Sequence, residues 1–544
     1  MTSALFAVRR GCDSLRRKLR GEGLPPLAAR VLSARGISGS GDAVPPLSSL
    51  PPPAVLPDIA KLCEILADAV RKREKICVVG DYDADGMCAA ALAAAGLRCL
   101  GAEISWRIPG RTRHGYGLHE EIAEEAAADG VSVLLTVDNG VSALDAVARA
   151  KSLGMRVCIT DHHLPPETLP DADCIVNPRL GGDDSPGANL AGAGVAFYAL
   201  AALRKHLRSS LEMKQFLDLV AVGSVADCAP MDATNRALVG GGLAQIRGGG
   251  ASPGIAAIAA AAQIDPAAFV CRDISHAVAP RINAAGRLDC SETAMRCLLA
   301  EDAKQARRAA AQLSEMNFRR KEIVERIMAE IPAPPQDSAA VVACDSEWPV
   351  GVTGIVAGRL ADLYRRPALV FARVNGVWRG SGRTPPGRDL YRLAADAAAA
   401  SAALKFGGHR QAVGVSVREV APFARAFEKC CRESADAAAE VPRFRVDETP
   451  PPDEITTEAV DCLNRMVWGE EFARPLFAGA FAVSELRPIG REHSAMRLRG
   501  DGLNIPALAF YRRDIGNAAT AVFSLARDHY TGRATAIIEE ILDG

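Results

Sequence analysis

The hydrophobic positions of the chain follow two alternating patterns from about residue 61 onward. Short apolar runs rich in β-branched residues begin at Ile76, Val133 and Arg156, and each run ends in a turn with charged residues. Alanine-rich stretches of helical character, at residues 87–101 and 143–154, separate the runs. Because buried strands that alternate with helices form parallel sheets covered on both faces, this pattern predicts a doubly wound α/β domain.

The rest of the sequence divides into further segments. Residues 1–55 are basic and then rich in Pro, Gly and Ser, which indicates an N-terminal arm and linker before a first domain at 56–240. Residues 241–335 are predicted to form a helical connector that ends in one long helix before a cluster of prolines. A smaller α/β domain is predicted at 336–438. The short β runs of 439–544 predict an OB-fold β-barrel.

The charge and composition of the chain limit where a nucleic-acid site can lie and in which compartment the protein is expected. The net charge of −1 provides no global basic field, so a nucleic-acid site has to be a local basic channel. The 15 cysteines form no C-x-x-C pair and mostly lie in apolar runs, as is typical of buried thiols in a reducing compartment. The apolar stretch near the amino terminus is too short for a signal-peptide core, and no run approaches a membrane span. We therefore expect a cytoplasmic protein that does not contact a membrane.

The strongest chemical signal is the position of the acidic and histidine residues. The three apolar runs lead into the clusters DYDADG (81–86), DNG (138–140) and DHH (161–163). A fourth candidate, Asp227, follows the apolar run LDLVAVGSVA. Because ligands of an open parallel sheet bind beyond the carboxyl ends of its strands, these side chains are predicted to converge on one crevice. Carboxylates with imidazole are the ligands of paired divalent cations that hydrolyse phosphodiesters.

These residues also have simpler interpretations than a metal site. A single Asp after a strand is commonly a turn or helix-capping residue. DYDADG also matches the opening of an EF-hand loop, but the twelfth loop position would be Leu92 instead of Glu, and a β run precedes it. The sequence contains no P-loop motif, and Gly192-Ala-Gly194 lacks the third glycine of a dinucleotide fold. The constellation as a whole favours metal-dependent phosphoester chemistry.

The motifs DYDADG, VDNG, TDHH and VADCAPM, in that order, resemble those of the DHH phosphoesterase superfamily. The later segments APRINAAGRLD, GVTGIVAGRL, RGSGRT and LKFGGHRQAVG resemble the RecJ branch, so the similarity runs from about residue 56 to about 435. The resemblance implies a DHH catalytic domain and a DHH-associated domain joined by a long helix around a cleft, followed by an OB-fold. It also implies a 5′→3′ exonuclease specific for single-stranded DNA. Such an enzyme uses two Mn²⁺ or Mg²⁺ ions, releases 5′-mononucleotides and acts in DNA repair and recombination.

The resemblance also assigns roles to individual residues. It implies a set of direct metal ligands: Asp83, Asp85, Asp138, His162 and Asp227. Of these, Asp138 would bridge the two metal ions. It implies a set of catalytic residues: Asp81, Asp138, His162 and His163. Of these, Asp81 and His163 would lie behind the metals or face the phosphate. The 5′-phosphate would be held by Arg111, Ser381 and Arg383, and the scissile nucleotide would lie near Arg281, Arg287 and His409. Guanidinium groups suit this task because they bind phosphate in a bidentate manner.

The sequence departs from the family pattern in the second lobe and the barrel. Pro349 stands where RecJ proteins usually have His, and Gly358 stands where they usually have Ser. GEEFARPLF replaces a segment that usually contains GNPEP. Because every metal-ligand position is intact, we expect catalysis to persist. The departures instead concern contacts to substrate and the partner surface of the barrel.

Two other functions remain open from the sequence. One is a DHH phosphoesterase on short oligonucleotides or cyclic dinucleotides, although such relatives are shorter and lack a terminal barrel. The other is a non-catalytic DNA-binding scaffold, although scaffolds of that kind lose ligand carboxylates. The main hypothesis predicts a monomer that binds 5′-ended single-stranded DNA and, by family implication, single-strand-binding protein and a helicase. The predicted barrel offers aromatic and basic side chains for unpaired bases: Phe477, Phe481, Phe510, Tyr511, Arg512 and Arg513.

Overall fold

The computed structural model describes residues 6–542 except 112, 114, 116, 402, 435–443, 491–492, 501, 511, 513–514 and 529–530. Its first sheet has five parallel strands in the order β3-β2-β4-β5-β6, with helices on both faces. The lobe built on this sheet consists of α4 (Ile59–Lys72), β2 (Lys75–Val79), α5 (Ala84–Cys99), β3 (Glu103–Arg107), α6 (Glu120–Ala128), β4 (Val133–Val137), α7 (Leu144–Ser152), β5 (Arg156–Thr160), β6 (Cys174–Val176), α8 (Gly192–His206), α9 (Leu217–Ala226) and α10 (Ala233–Arg247).

The sequence pattern explains this lobe directly. Strands β2, β4 and β5 are apolar, and nearly all their residues are buried, as expected for parallel strands covered on both faces. Helix α5 is almost entirely buried, because its alanines let neighbouring helices approach closely. The predicted doubly wound sheet is therefore confirmed.

A helical connector joins the first lobe to a second one. The connector contains α11 (Pro253–Ala261), α12 (Cys271–Asp273), a π-helical turn (Ile274–Val278), α13 (Ala279–Arg287), α14 (Ser291–Leu298) and the 28-residue α15 (Ala303–Glu330). Asp302 caps α15 by accepting hydrogen bonds from the N–H groups of Lys304 and Gln305. The long helix that the charged segment predicted is confirmed.

The second lobe is a five-stranded mixed sheet in the order β10-β11-β9-β8-β7. Its elements are β7 (Val341–Asp345), α16 (Val350–Tyr364), β8 (Ala368–Val374), β9 (Val377–Arg383), α17 (Leu390–Ser401), β10 (Lys405–His409), β11 (Ala412–Val417) and α18 (Val420–Glu433). Helix α16 packs against β8 and β9 and also contacts α13 and α15. The amino end of α16 therefore lies where the two lobes meet.

The carboxyl-terminal region contains a closed barrel, as the short β runs predicted. Its elements are β12 (Phe444–Asp447), α19 (Thr457–Asn464), β13 (Phe477–Ile489), β14 (His493–Gly500), β15 (Leu503–Ala509), β16 (Ala518–Arg527) and β17 (Ala534–Ile541). Strands β13-β14-β15-β17-β16 close on one another, with β15 and β17 parallel and the other pairs antiparallel. Inward-facing apolar residues such as Phe477 and Phe523 fill the barrel.

The interpretation of residues 1–55 as an arm and linker is wrong for most of that segment. The segment forms β1 (Phe6–Arg9), α1 (Asp13–Gly21), α2 (Pro26–Ser33) and α3 (Ser40–Ala43). Leu19 and nearly all of α2 are buried in the main core, and β1 pairs in parallel with β12. The basic residues suggested an exposed arm, whereas the apolar residues between them form a buried helical face. The proline-rich stretch 44–55 runs along the surface and contains two short 3₁₀ turns.

A buried ion pair attaches this amino-terminal segment to the barrel region. Arg35 donates to both carboxylate oxygens of Asp447, at 2.7 and 3.0 Å, and to the carbonyl oxygen of Ala473. The two side chains are only 6% and 1% exposed. Removing Arg35 would leave the buried Asp447 carboxylate with only the longer ion pair to Arg9, at 3.9 Å.

We predict that Arg35→Ala lowers the free energy of unfolding by about 3 kcal/mol, because the buried Asp447 carboxylate loses its two short hydrogen bonds and keeps only the ion pair with Arg9 at 3.9 Å. Urea denaturation measures the change, and limited proteolysis should show earlier cleavage near β12. Arg17→Ala is the matched control, since Arg17 is exposed in the same segment. Equal stability of the two variants would show that the ion pair does not hold the segment in place.

Candidate metal centre and phosphate-binding cleft

The three strand-end clusters meet at one edge of the first sheet. Strand β4 pairs in parallel with both β2 and β5, so their carboxyl ends are adjacent. Asp81, Asp138 and Asp161 follow these strands by one or two residues and are all buried. Several carboxylates in one crevice of low dielectric repel each other, and a positive charge among them would offset this repulsion.

Asp138 and His162 form the centre of the cluster. The Oδ1 atom of Asp138 lies 2.9 Å from Nε2 of His162. Asp138 has a left-handed backbone conformation (φ 62°), which ends β4 sharply and turns the carboxylate into the crevice. Its neighbour Asn139 donates hydrogen bonds to the carbonyl oxygens of Val79 and Val137, so it fastens the ends of β2 and β4 together.

Asp85 is held by the amino terminus of helix α8. Its carboxylate accepts hydrogen bonds from the backbone N–H groups of Gly192 and Ala193, at 2.6 and 2.9 Å. A β-carbon at Gly192 would lie 2.4 Å from the β-carbon of Asp138, so only glycine fits between the two carboxylates. These N–H donors and the positive end of the helix stabilise a negative charge that is almost fully buried.

Two overlapping groups of side chains have the geometry of metal sites. In each group the ligand atoms lie within 4.8 Å of one another. One group contains Asp138, His162 and His163, and the other contains Asp85, His162 and Asp227. His162 lies 3.9 Å from Asp85 and 3.9 Å from Asp227, so it connects the two groups. The structure therefore brings four predicted ligands together: Asp85, Asp138, His162 and Asp227.

Burial and mutual repulsion dominate the protonation of these groups. Burial, followed by the charge of Asp83, raises the pKa of Asp85 to about 7. Burial and then Asp85 raise the pKa of Asp227 to about 8. The pKa of Asp138 is raised well above its ordinary value by burial, with Asp85 as the next cause. Burial and the nearby His163 lower the pKa of His162 to about 3, so its imidazole is neutral and keeps a lone pair for a cation.

Asp161 positions the second histidine. One of its carboxylate oxygens lies 2.7 Å from Nδ1 of His163, and the other accepts from the N–H of Val141 at 2.9 Å. Burial lowers the pKa of His163, but the hydrogen bond and charge of Asp161 outweigh it and raise that pKa to about 9. Asn177 and Arg179 donate to the carbonyl oxygens of His163 and His162, which fixes the loop.

The other two carboxylates of the DYDADG motif lie beside the metal-site groups. Asp83 is the N-cap of α5, and its side chain accepts a hydrogen bond from the N–H of Gly86 at 3.0 Å. It acts electrostatically on Asp81, Asp85 and Asp138, although it belongs to neither group. Asp81 is buried, and burial followed by the charge of Asp83 raises its pKa well above the ordinary value. Direct ligation by Asp83 stays a prediction.

A cluster of arginines lies next to the carboxylates. Arg287 donates to the carbonyl oxygen of Gly351 at the start of α16. Burial and then the charges of Arg111, Arg320 and Arg383 lower the pKa of Arg287 to about 9, while Asp83 opposes this shift. The guanidinium of Arg111 lies over the ring of Tyr82, 5.0 Å from its centroid. These contacts connect the wall of the metal centre with the second lobe.

Residues of the second lobe complete this wall. The hydroxyl oxygens of Ser381 and Thr353 lie 2.9 Å apart, and the Arg383 guanidinium lies near Gly354. His409 is exposed, and burial of part of its ring and the charge of Arg383 lower its pKa. The charges of Arg111, Arg287 and Arg383 thus act on one another, Ser381 and Arg383 both face Gly354, and His409 feels the charge of Arg383.

Arg281 occupies a different position from the other predicted substrate residues. It donates to the hydroxyl of Ser314 on α15 and to the carbonyl oxygen of Ala277 in the π-helical turn. The hydrogen bond to Ala277 fixes Arg281 against the π-helical turn, and such turns are rare elements that often occur at functional sites. Contact of Arg281 with a nucleotide stays a prediction.

Sequence reasoning assigned no role to several residues that shape the site. Asp161 stood beside the two histidines as a visible signal, and its role as their positioning residue was not assigned. Gly192 was considered only as part of a dinucleotide motif, whereas its N–H binds Asp85. Asn283, in the APRINAAGRLD segment, accepts a hydrogen bond from the N–H of Ala84 and so supports the DYDADG loop.

The barrel residues proposed to contact bases have different environments. Phe477 and Phe481 are buried in the core, whereas Phe510 is 45% exposed. Arg512 donates to Glu540. Tyr511 and Arg513 lie outside the described residues. Among the phenylalanines of this set, Phe510 is the one with an accessible ring.

Known families and structures match this chain along most of its length. Residues 75–224 match the DHH family N-terminal domain, residues 336–435 match the DHHA1 domain, and residues 446–539 match the RecJ OB domain. Among the helices in the described part of the chain, none is both long and apolar enough to cross a membrane.

Individual relatives agree with these domain matches. The chain is 37% identical over 525 residues to the single-stranded-DNA-specific exonuclease RecJ of Salmonella typhimurium, which covers 90% of this chain and 89% of the relative. It is 36% identical to the same enzyme of Escherichia coli over equal shares of both chains. A crystal structure of RecJ in complex with Mn²⁺ from Thermus thermophilus matches with a TM-score of 0.85 and 29% identity, over 100% of this chain and 80% of that one. The chain therefore belongs to the RecJ family of single-stranded-DNA-specific exonucleases.

Proposed function

We propose that this chain removes nucleotides from the 5′ end of single-stranded DNA and releases them as 5′-mononucleotides. The observation that carries the proposal is the presence of two charged walls in one cleft. Carboxylates and imidazoles form the first wall, and guanidinium groups form the second. A phosphodiester between these walls would meet groups for hydrolysis on one side and groups for phosphate binding on the other.

The first wall fits two divalent cations. Its donors are carboxylate oxygens and a neutral imidazole, arranged in two groups that share His162. We assign Asp83, Asp85, Asp138, His162 and Asp227 as ligands, with Asp138 between the two ions. Bound there, two Mn²⁺ or Mg²⁺ ions would supply a nucleophile at neutral pH and neutralise charge on the attacking and leaving oxygens. Mn²⁺ suits this mixture of carboxylate and imidazole, since imidazole is a softer ligand than oxygen.

The side chains of the protein orient the reacting groups. Asp138 fixes the imidazole of His162, and Asp161 fixes that of His163 through Nδ1. His163 beside Asp161 favours the protonated form and so can donate a hydrogen bond to a phosphate oxygen. Asp81 lies behind the metal ligands, where it supports the loop by accepting from the N–H of Gly117 at 3.4 Å.

The second wall sets the polarity of cleavage. Arg111, Ser381 and Arg383 are assigned to the terminal 5′-phosphate, and Arg287 and His409 to the scissile nucleotide. A pocket for a terminal phosphate places the first phosphodiester at the metal centre, so cleavage begins at the 5′ end. The cleft between two lobes suits an unpaired strand, and the barrel offers a further surface for unstacked bases.

The setting of this activity is a proposal as well. All 15 cysteines are free thiols, which suits a reducing compartment such as the cytoplasm. By family implication, the partners are single-strand-binding protein and a helicase, and the enzyme acts in repair and recombination as a monomer. We divide the chain into an amino-terminal segment (1–55), a catalytic domain (56–240), a connector (241–335), a substrate-binding domain (336–438) and an OB-fold domain (439–544).

We predict that the protein with Mn²⁺ degrades a long 5′-phosphorylated single strand to mononucleotides. A 5′ label should appear in mononucleotides at once, whereas a 3′ label should appear there last, because the terminal-phosphate pocket admits only the 5′ end. Gel and chromatographic analysis of both labelled strands measures the order of release. Activity confined to dinucleotides or cyclic dinucleotides would favour the short-substrate phosphoesterase instead.

We predict that Asp138→Asn lowers kcat by about 10³-fold or more, because the variant loses the carboxylate between the two metal groups. Binding of a single strand should change little, since the arginine wall remains. Fluorescence anisotropy measures binding, and a nuclease assay measures kcat. Asp183→Asn is the matched control, because Asp183 lies in the same lobe and its side chain is 91% exposed. Full activity of Asp138→Asn would refute the metal assignment.

We predict that Mn²⁺ affinity rises as the pH increases from 6 to 8.5. Asp85 and Asp227, with pKa values of about 7 and 8 in the metal-free protein, hold protons at the lower pH that a cation must displace. Isothermal titration calorimetry at several pH values measures the affinity and the protons released.

The same shifts predict the stability of the metal-free protein. In the unfolded chain both carboxyls ionise near their ordinary pKa of 3.8, whereas in the folded chain they ionise only near 7 and 8. Between these values the folded state binds more protons, so the Tm of the metal-free protein should fall as the pH rises through this range. Mn²⁺ should therefore raise the Tm more at pH 8 than at pH 6. A Tm increase that does not depend on pH would contradict the assignment of these carboxylates as ligands.

A further inference from the structure

The first turn of α10 carries a buried asparagine that connects two separate loops. Asn235 is fully shielded from solvent. Its side-chain amide donates to the carbonyl oxygen of Asn189 at 2.7 Å and to that of Pro230 at 2.8 Å. Because both acceptors are carbonyl oxygens, the atom between them has to be the amide nitrogen, and both of its N–H groups are used. The side chain therefore ties the two loops together.

Each of these loops leads directly to a group of the metal centre. The first bonded carbonyl lies three residues before Gly192, whose N–H binds the Asp85 carboxylate at 2.6 Å. The second bonded carbonyl lies three residues after Asp227. Asp85 and Asp227 belong to the same group of potential metal ligands, in which the ligand atoms lie within 4.8 Å of one another. The two N–H groups of Asn235 thus connect the two sides of one candidate metal site.

A carboxylate on the same helix strengthens the first of these connections. Asp232 is the N-cap of α10 and accepts a hydrogen bond from the backbone N–H of Asn235 at 2.9 Å. It also accepts from the side-chain amide of Asn189 at 3.1 Å. The loop before α8 is therefore bound to α10 through its main chain and through a side chain.

The adjacent arginine fastens the second loop. Arg236 is 9% exposed and donates to the carbonyl oxygen of Met231 at 2.7 Å. Its other donors bind the carbonyl oxygens of Asp42 and Ala43 in the amino-terminal segment. Its guanidinium lies 4.4 Å from the centroid of the Phe472 ring, in the loop between α19 and β13. Through this side chain the loop after the metal-ligand position is anchored to regions outside the catalytic lobe.

Helix packing alone does not account for Asn235. Its Oδ1 atom is buried and has no hydrogen-bond partner among the described residues, so burial of the amide has an uncompensated cost. An apolar residue of similar size would avoid that cost and would still fill the same space. What the amide supplies instead is a pair of donors that fixes the distance between the two loops.

From these contacts we propose that Asn235 is a positioning residue of the metal centre. It sets the separation between Asp227 and the helix end that binds Asp85, and so determines how well these carboxylates fit a shared cation. Asn235 itself belongs to neither group of ligand side chains. The proposal rests on the two-metal site of the proposed function and deepens it, because it names a residue that controls the spacing of that site.

The test measures Mn²⁺ binding in variants that lose one or both donors. The wild-type protein, Asn235→Ala and Asn235→Ser are titrated with Mn²⁺ by isothermal titration calorimetry. We expect Asn235→Ala to bind one of the two ions about 10- to 100-fold more weakly, the usual loss for a residue that orients metal ligands. Serine has one hydroxyl donor and can hold one carbonyl at most, so the loss in Asn235→Ser should be intermediate.

Two further readouts distinguish positioning from a general loss of structure. The electron paramagnetic resonance spectrum of Asn235→Ala with Mn²⁺ should change from that of two coupled ions towards that of isolated ions. At low Mn²⁺ concentration the variant should have a lower kcat on 5′-phosphorylated single strands, and saturating Mn²⁺ should restore most of it. The KM for the strand should stay close to the wild-type value, because the arginine wall is unchanged.

Ile246→Ala is the matched control for packing, since Ile246 is buried on the same helix in the main core. It should lower the Tm and leave Mn²⁺ affinity unchanged. Wild-type Mn²⁺ affinity in both Asn235 variants would overturn the proposal, as would an equal loss of affinity in Ile246→Ala. If Asn235→Ala does not fold, the titration of Asn235→Ser decides the question. Failure of the wild-type protein to bind two Mn²⁺ ions would instead contradict the proposed function itself.

Discussion

Mutual repulsion between carboxylates in a low dielectric is the constraint on which the rest of the structure depends. Asp81, Asp85, Asp138 and Asp161 are almost fully removed from water at adjacent strand ends. Backbone N–H groups offset part of the cost: those of Gly192 and Ala193 bind Asp85, and that of Val141 binds Asp161. These donors stabilise the carboxylates without neutralising them, so the cluster keeps a strong affinity for cations.

Repulsion between like charges also acts among the arginines that face the carboxylates. Burial makes the protonated form of Arg287 less stable, and repulsion from the charges of Arg111, Arg320 and Arg383 adds to this effect. In the proposed function, a metal-bound phosphate between the two walls would offset the repulsion within each of them. Since Asp83 partly compensates Arg287, the two walls are already coupled in the protein without ligands. Helix α15 matters for this coupling because it spans both lobes.

The sequence predicted those parts of the fold and site that depend on local pattern. The runs before Asp81, Asp138 and Asp161 predicted parallel strands, and the geometry of parallel sheets then placed those residues at one edge. Residues whose role arises from distant contacts were not predictable. In the sequence Arg35 belongs to a basic segment, and only the folded structure shows that it pairs with Asp447. In the same way, the sequence does not show that the N–H of Gly192 donates to Asp85.

Close backbone contacts explain why the two walls keep a fixed separation. A β-carbon at Gly286 of α13 would lie 1.9 Å from the carbonyl oxygen of Tyr82, so the arginine-bearing helix rests directly on the DYDADG loop. Gly192 likewise allows α8 a close approach to Asp138, since a β-carbon there would lie 2.4 Å from the β-carbon of Asp138. A larger side chain at either position would move a helix and, with it, a charged group of the site. Because electrostatic interaction and catalysis both depend on the distance between charged groups, these glycines contribute to the geometry that the proposed chemistry needs.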